Sequence, residues 1–92
     1  MVIIVPLYIL GLLLRFGPQH GYRIKELISG QLAYFTEIKL PTIYYHMEKM
    51  EQNGLLTASR EKDGSRPEKT VYEITDEGAR FFRQKLRELL NF

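Results

Sequence analysis

Two short stretches hold the residues best suited to chemistry. Thr42, Tyr45, His46 and Lys49 recur at three- and four-residue spacing in a segment that reads as a helix, so they gather toward one side of it. Hydroxyl, imidazole and ammonium groups in such an array can reach base edges or phosphate oxygens. Arg60, Lys62, Arg66 and Lys69 surround a polar, turn-rich stretch at 62–68, with only Glu61, Asp63 and Glu68 against them. Basic side chains on a hairpin tip can straddle a phosphate ridge or enter a minor groove. A solvated helix face and a soluble loop would account for each stretch taken singly. Their succession, helix and then basic hairpin, points to a polyanion.

Other chemistry is poorly supplied. The chain has no Cys, which removes disulfides and thiolate metal sites and fits a reducing compartment. Its two histidines, His20 and His46, stand at no metal-ligand spacing, and there is no glycine-rich phosphate loop or nucleophile elbow. The carboxylates are scattered among basic residues. The expectation is therefore no enzyme, no bound metal and no cofactor. The 92 residues are 45% hydrophobic and 26% charged, a globular balance, and are expected to form one domain over 1–92. A net charge of +2 does not by itself indicate nucleic acid, so the argument rests on where the charge sits.

The positioning elements follow from periodicity and stop signals. The apolar opening, MVIIVPLYILGLLL, is shorter than the roughly 20 residues a bilayer span needs. Pro6 and Gly11 interrupt it, and it lacks the basic start and cleavage site of a signal peptide. It reads as a buried helix at 5–16, with no membrane role, and Gly17-Pro18 ends it. A second helix spans 21–32, with Ile24, Leu27, Ile28 and Leu32 on one face. After a short connection at 34–39, Pro41 opens a third helix, 41–52, which Asn53-Gly54 terminates. Its core stripe is Ile43, Met47 and Met50. Thr42, Tyr45, Lys49 and Gln52 lie opposite, and Tyr44 and His46 flank the two sides. The period then changes: 55–61 and 69–75 alternate as strands of a hairpin wing over 55–75. Thr75 caps a last helix at 76–91, with Asp76 and Glu77 at its positive dipole end. The order describes an α+β, mostly α chain: a winged helix-turn-helix with three helices, a two-stranded wing and a C-terminal dimerisation helix.

Three local patterns in this order resemble the N-terminal domain of the PadR family of bacterial and archaeal repressors. Gly17-Pro18-Gln19-His20-Gly21-Tyr22-Arg23-Ile24 is similar to the family's opening of the second helix. Pro41-Thr42-Ile43-Tyr44-Tyr45-His46-Met47, through Glu51-Gln52-Asn53-Gly54-Leu55-Leu56, is similar to its recognition helix. Tyr72-Glu73-Ile74-Thr75-Asp76-Glu77-Gly78 resembles the passage from wing to last helix. The likeness is collinear from about residue 7 to residue 90. Tyr45 departs from it, standing where the family usually has Pro. Longer members continue into a separate helical dimerisation domain, so the likeness is to the short type or to a fragment. The resemblance implies a prokaryotic, cytoplasmic transcriptional repressor that binds double-stranded DNA, with Tyr22 as a backbone contact.

On that reading Thr42, Tyr45 and His46 meet bases or nearby phosphates, Lys49 neutralises backbone, and Arg60, Lys62, Arg66 and Lys69 form a second contact through the wing. Tyr22 and His20 sit at the positive end of the second helix, where packing and turn-capping compete with a phosphate role. Tyr44 divides between core and phosphate. The first and last helices carry more apolar surface than so small a core can cover. Leu7, Tyr8, Leu10, Phe81, Phe82, Leu86, Leu89 and Leu90 are therefore expected at a homodimer interface. Two further readings stay open. One is a winged-helix protein–protein interaction module that does not touch DNA. The other is a regulator with a small-molecule effector pocket at the dimer interface, built from Tyr8, Phe81, Phe82 and Phe92, with nothing to name the ligand.

Overall fold

The first helix is central because it has almost no polar side to leave in water. In the computed structural model, which describes residues 4–32, 39–62, 64–65 and 69–91, α1 (Ile4–Phe16) buries Ile9, Leu10 and Leu13 almost completely. Each such side chain contributes about 2 kcal/mol by leaving water. Pro6 falls in the first turn, where its missing N–H had no helical partner to lose. Gly17 takes the left-handed φ of 81° and donates its N–H to the Leu13 carbonyl at 3.0 Å, which stops the helix.

The helix-turn-helix pair packs on this core. α2 (Gly21–Leu32) contributes the fully buried Ile24 and Ile28. α3 (Leu40–Gln52) contributes Ile43, Met47 and Met50, the stripe expected from its period. Lys39 stands at its N-cap with extended backbone and no side-chain cap, and proline follows in the first turn. Outside the described residues lie 34–38 of the expected connection, Asp63, Arg66, Pro67, Glu68 and Phe92, as does the side chain of Leu32.

The wing is β2 (Leu56–Glu61) paired antiparallel with β3 (Lys69–Ile74), in a register that sets Leu56 opposite Ile74, Ala58 opposite Tyr72 and Arg60 opposite Thr70. Those six residues share one sheet face, buried at the Leu56 end and open at the Arg60 end. A short strand, β1 (Gln19–His20), adds to the far edge of β3, so the sheet has three strands in the order β1-β3-β2. The two-stranded expectation missed β1 because two residues are too few for an alternating pattern. The pairing matters: it anchors the start of α2 to the root of the wing.

Thr75 joins the wing to α4 (Asp76–Leu90). Its hydroxyl accepts the Gly78 N–H at 2.9 Å and donates to the Gly54 carbonyl at 2.7 Å, tying the end of α3 to the start of α4. α4 then returns against α1, where Phe82 packs over Gly11. The fold is a mainly helical α+β winged helix-turn-helix, as its element order indicated.

Candidate nucleic-acid interface

Burial of Ile43, Met47 and Met50 fixes the rotation of α3. At about 100° per residue, the side opposite that stripe must face solvent. Thr42, Tyr45, Lys49 and Gln52 are all exposed there, Tyr45 by 56%. Three of the candidate residues form one strip. The Tyr45 and His46 rings meet edge to face with centroids 5.3 Å apart, and the Lys49 ammonium lies 6.0 Å from the Tyr45 ring centre. His46 is only half-buried, and that burial lowers its pKa from the usual histidine value, which favours the neutral ring.

Tyr44 belongs to a different flank. Its ring lies against the backbone of Gly21, where an added Cβ would come within 2.8 Å of the phenol oxygen. The only residue without a Cβ thus lets the α3 tyrosine seat against the first turn of α2. Tyr22, 59% exposed, stands beside it. Both tyrosines line one cleft beside the start of α2, whose first N–H groups have no helical acceptor and suit a phosphate oxygen. His20, expected in a turn, instead sits in β1, and its Nδ1 is buried with no hydrogen-bond partner among the described residues.

The wing stands across an open cleft of about 780 Å³ from this flank, bordered by Tyr22, Tyr44, Arg60, Lys69 and Tyr72. Arg60, Lys62 and Lys69 are exposed, and Arg66 lies outside the described residues. Three acidic lining residues escaped sequence reasoning: Glu26 on α2, and Glu48 and Glu51, exposed on the same flank of α3 as Tyr44. The helical period already placed the α3 pair there.

The candidate dimer residues separate by depth. Leu10 is fully enclosed by its own chain and Leu7 is 6% exposed, so Leu10 has no surface to offer a partner. The reason is that α1 is enclosed by α2, α3 and the sheet as well as by α4. Tyr8, Phe81, Phe82 and Leu89 are half-buried, while Leu86 and Leu90 are 40% and 76% exposed. Between α1 and α4 lies an apolar groove of about 590 Å³ whose walls include Tyr8, Phe16, Phe82, Leu86 and Leu89. No group of three potential metal ligands occurs among the described residues, and no helix is long and apolar enough to cross a membrane.

Comparison with known proteins gives the same outline. The sequence model of the transcriptional regulator PadR-like family matches residues 9–84. The negative transcriptional regulator PadR of Bacillus subtilis is 34% identical over 82 residues, which is 89% of this chain and 42% of that protein. The crystal structure of Bacillus subtilis PadR in complex with operator DNA superposes with a TM-score of 0.80 at 31% identity, covering 90% of this chain and 46% of that one. A transcriptional regulator from Clostridium thermocellum gives 0.81 at 30% identity, covering 92% and 79%. The chain therefore spans less than half the length of the Bacillus protein.

Proposed function

The chain belongs to the PadR-like family of transcriptional regulators, and from that premise we propose that it is a sequence-specific repressor that binds a pseudo-palindromic DNA operator as a homodimer. The observation that carries the proposal is the exposed strip of Tyr45, His46 and Lys49, with Thr42, on a helix whose other side is wholly buried. A helix locked in rotation by its core can present the same groups to every operator it meets. The Bacillus relative captured on operator DNA supports extending this geometry to duplex DNA.

α3 enters the major groove with Thr42, Tyr45 and His46 toward the bases and Lys49 toward the backbone. A neutral His46 ring can both donate and accept there. Tyr22 and Tyr44 hold a phosphate at the start of α2, and Arg60, Lys62, Arg66 and Lys69 of the wing engage the neighbouring backbone or minor groove. Pairing through the α1–α4 surface, chiefly Tyr8, Phe81, Phe82, Leu86, Leu89 and Leu90, brings two copies of α3 about one DNA turn apart, roughly 34–36 Å. The chain works as one winged-helix domain in a prokaryotic cytoplasm, without catalysis, cofactor or metal. A small effector, if the regulator uses one, has the apolar α1–α4 groove as its place.

The test is a genome-fragment selection with the purified protein, repeated with Lys49→Ala and Arg66→Ala. Enrichment of a two-half-site sequence whose affinity both substitutions weaken supports the reading. Enrichment of no sequence contradicts it and favours a protein–protein module.

A further inference from the structure

Tyr45 holds the central place in the exposed strip of α3. Ile43, Met47 and Met50 mark the buried side of the helix, and at about 100° per residue Tyr45 stands almost directly opposite the middle of that stripe. A helix laid in a major groove aims that line at the groove floor. Gln52 shares the line but is the last residue of α3, whereas Tyr45 falls in the first half, where recognition helices meet base edges. The Tyr45 ring is 56% exposed and is braced by two neighbours. The His46 ring meets it at an interplanar angle of 74°, and the Lys49 ammonium lies over it. The most prominent surface on the reading side of α3 is therefore an aromatic ring, with hydrogen-bonding groups beside it.

A ring pressed against base edges leaves water, and so do the groups it covers. Nearly all of those groups in the major groove are hydrogen-bond donors and acceptors, whose lost hydration a ring does not replace. The one apolar group on offer is the C5-methyl of thymine. We infer that Tyr45 is a specificity-determining residue that selects thymine through its C5-methyl, with the ring rather than the hydroxyl as the contacting group. The inference rests on the DNA-binding reading above and names the chemical group its central side chain recognises. A phosphate role suits Tyr45 less well, because the phosphate ridges border the groove and a side chain aimed at the floor points away from both. His46 and Lys49 limit how far the ring can swing, so it meets the base step in a narrow range of poses.

The experiment measures, by fluorescence anisotropy, how the wild-type chain, Tyr45→Phe and Tyr45→Ala bind the selected operator and a series in which each thymine in turn is replaced by deoxyuracil. That replacement removes the C5-methyl and leaves every hydrogen-bonding group in place. One thymine in each half-site is sensitive for the wild type. Losing its methyl weakens binding about fourfold, and about fifteenfold when both half-sites are changed, as expected for one buried methyl per protomer. Tyr45→Phe keeps the same ratio between thymine and deoxyuracil operators, whatever its overall affinity. Tyr45→Ala brings that ratio to within about 1.5-fold of unity, measured at ~50 mM salt, where phosphate contacts keep the variant bound. A wild-type scan with no sensitive position overturns the inference. So does a ratio that survives Tyr45→Ala, which would assign the methyl to another side chain such as Thr42, exposed one turn earlier. So does a ratio lost in Tyr45→Phe, which would make the hydroxyl the contact. A wild-type chain that binds no operator removes the DNA-binding reading itself. Tyr45 lies outside the core, and thermal melts establish that each variant is folded.

Discussion

Gly21→Ala separates the architecture of the site from its stability. The glycine is the first residue of α2, and its φ is not among the positive values, so its backbone accepts alanine. The new Cβ would overlap Cε1 of the Tyr44 ring and lie 2.8 Å from both Cζ and the oxygen. Carbon contacts relax at about 3.5–4.0 Å, so the ring must retreat by more than about an ångström. It can do so, because it is the far end of an exposed side chain. Lost packing is offset by up to ~1 kcal/mol of helix propensity, and global stability should stay within about 1 kcal/mol of wild type. Binding should not be spared. If Tyr44 contacts phosphate as proposed, a phenol displaced by that distance loses that hydrogen bond, worth about 1–1.5 kcal/mol, or roughly five- to tenfold in Kd. Urea melts and fluorescence anisotropy on the operator measure the two quantities. The decisive comparison is a cycle with Tyr44→Ala: once the ring is gone, Gly21→Ala should add almost nothing. Additive effects on binding, or a stability loss above about 2 kcal/mol that Tyr44→Ala does not relieve, would refute the reasoning.

Lys49→Ala should weaken binding to operator and scrambled duplex alike. If a protomer neutralises about five phosphates, log K falls with log salt at a slope near −4.5, and this variant should reduce that slope by about 0.9. Leu86→Glu/Leu90→Glu should leave the fold intact, since both side chains are exposed, yet shift sedimentation at micromolar concentration from dimer to monomer. A variant that still sediments as a dimer removes α4 from the interface. Burial depresses the His46 pKa below its ordinary 6.5, so the unfolded chain binds more protons just beneath that value. Stability associated with neutral His46 is therefore present above 6.5 and declines as pH falls toward the folded value. Urea midpoints of His46→Gln should depend less on pH across that interval than those of wild type.

Much of the fold was legible because its signals are local and repeat. The helical period of Ile43, Met47 and Met50 marked the buried side of α3, and with it the exposed side. Pro41, Gly17, Gly54 and Thr75 stand at helix ends for reasons of backbone geometry and capping that a sequence displays directly. β1 was not legible, because two residues become a strand only when a distant edge of β3 receives them. The seating of Tyr44 on Gly21 is likewise a tertiary fact, set by how α2 and α3 approach. Depth at Leu10 is also not legible: an apolar helix in a small chain suggests spare surface, but α1 is the centre of the core and only its α4-facing side adjoins the apolar groove. Glu48 and Glu51 follow from the same helical period, which sets them on the flank of Tyr44, but a carboxylate carries no signal for a polyanion and so does not mark the cleft in the sequence.

The most direct measurement of the central claim is operator binding by the wild-type chain and by Lys49→Ala, on the site enriched from genomic fragments. The account predicts two half-sites about one helical turn apart, bound tightly by the wild type and more weakly by the variant, with a shallower salt dependence. If no fragment is enriched, or if Lys49→Ala binds the enriched site with wild-type affinity and slope, the assigned face of α3 is not the DNA-binding surface.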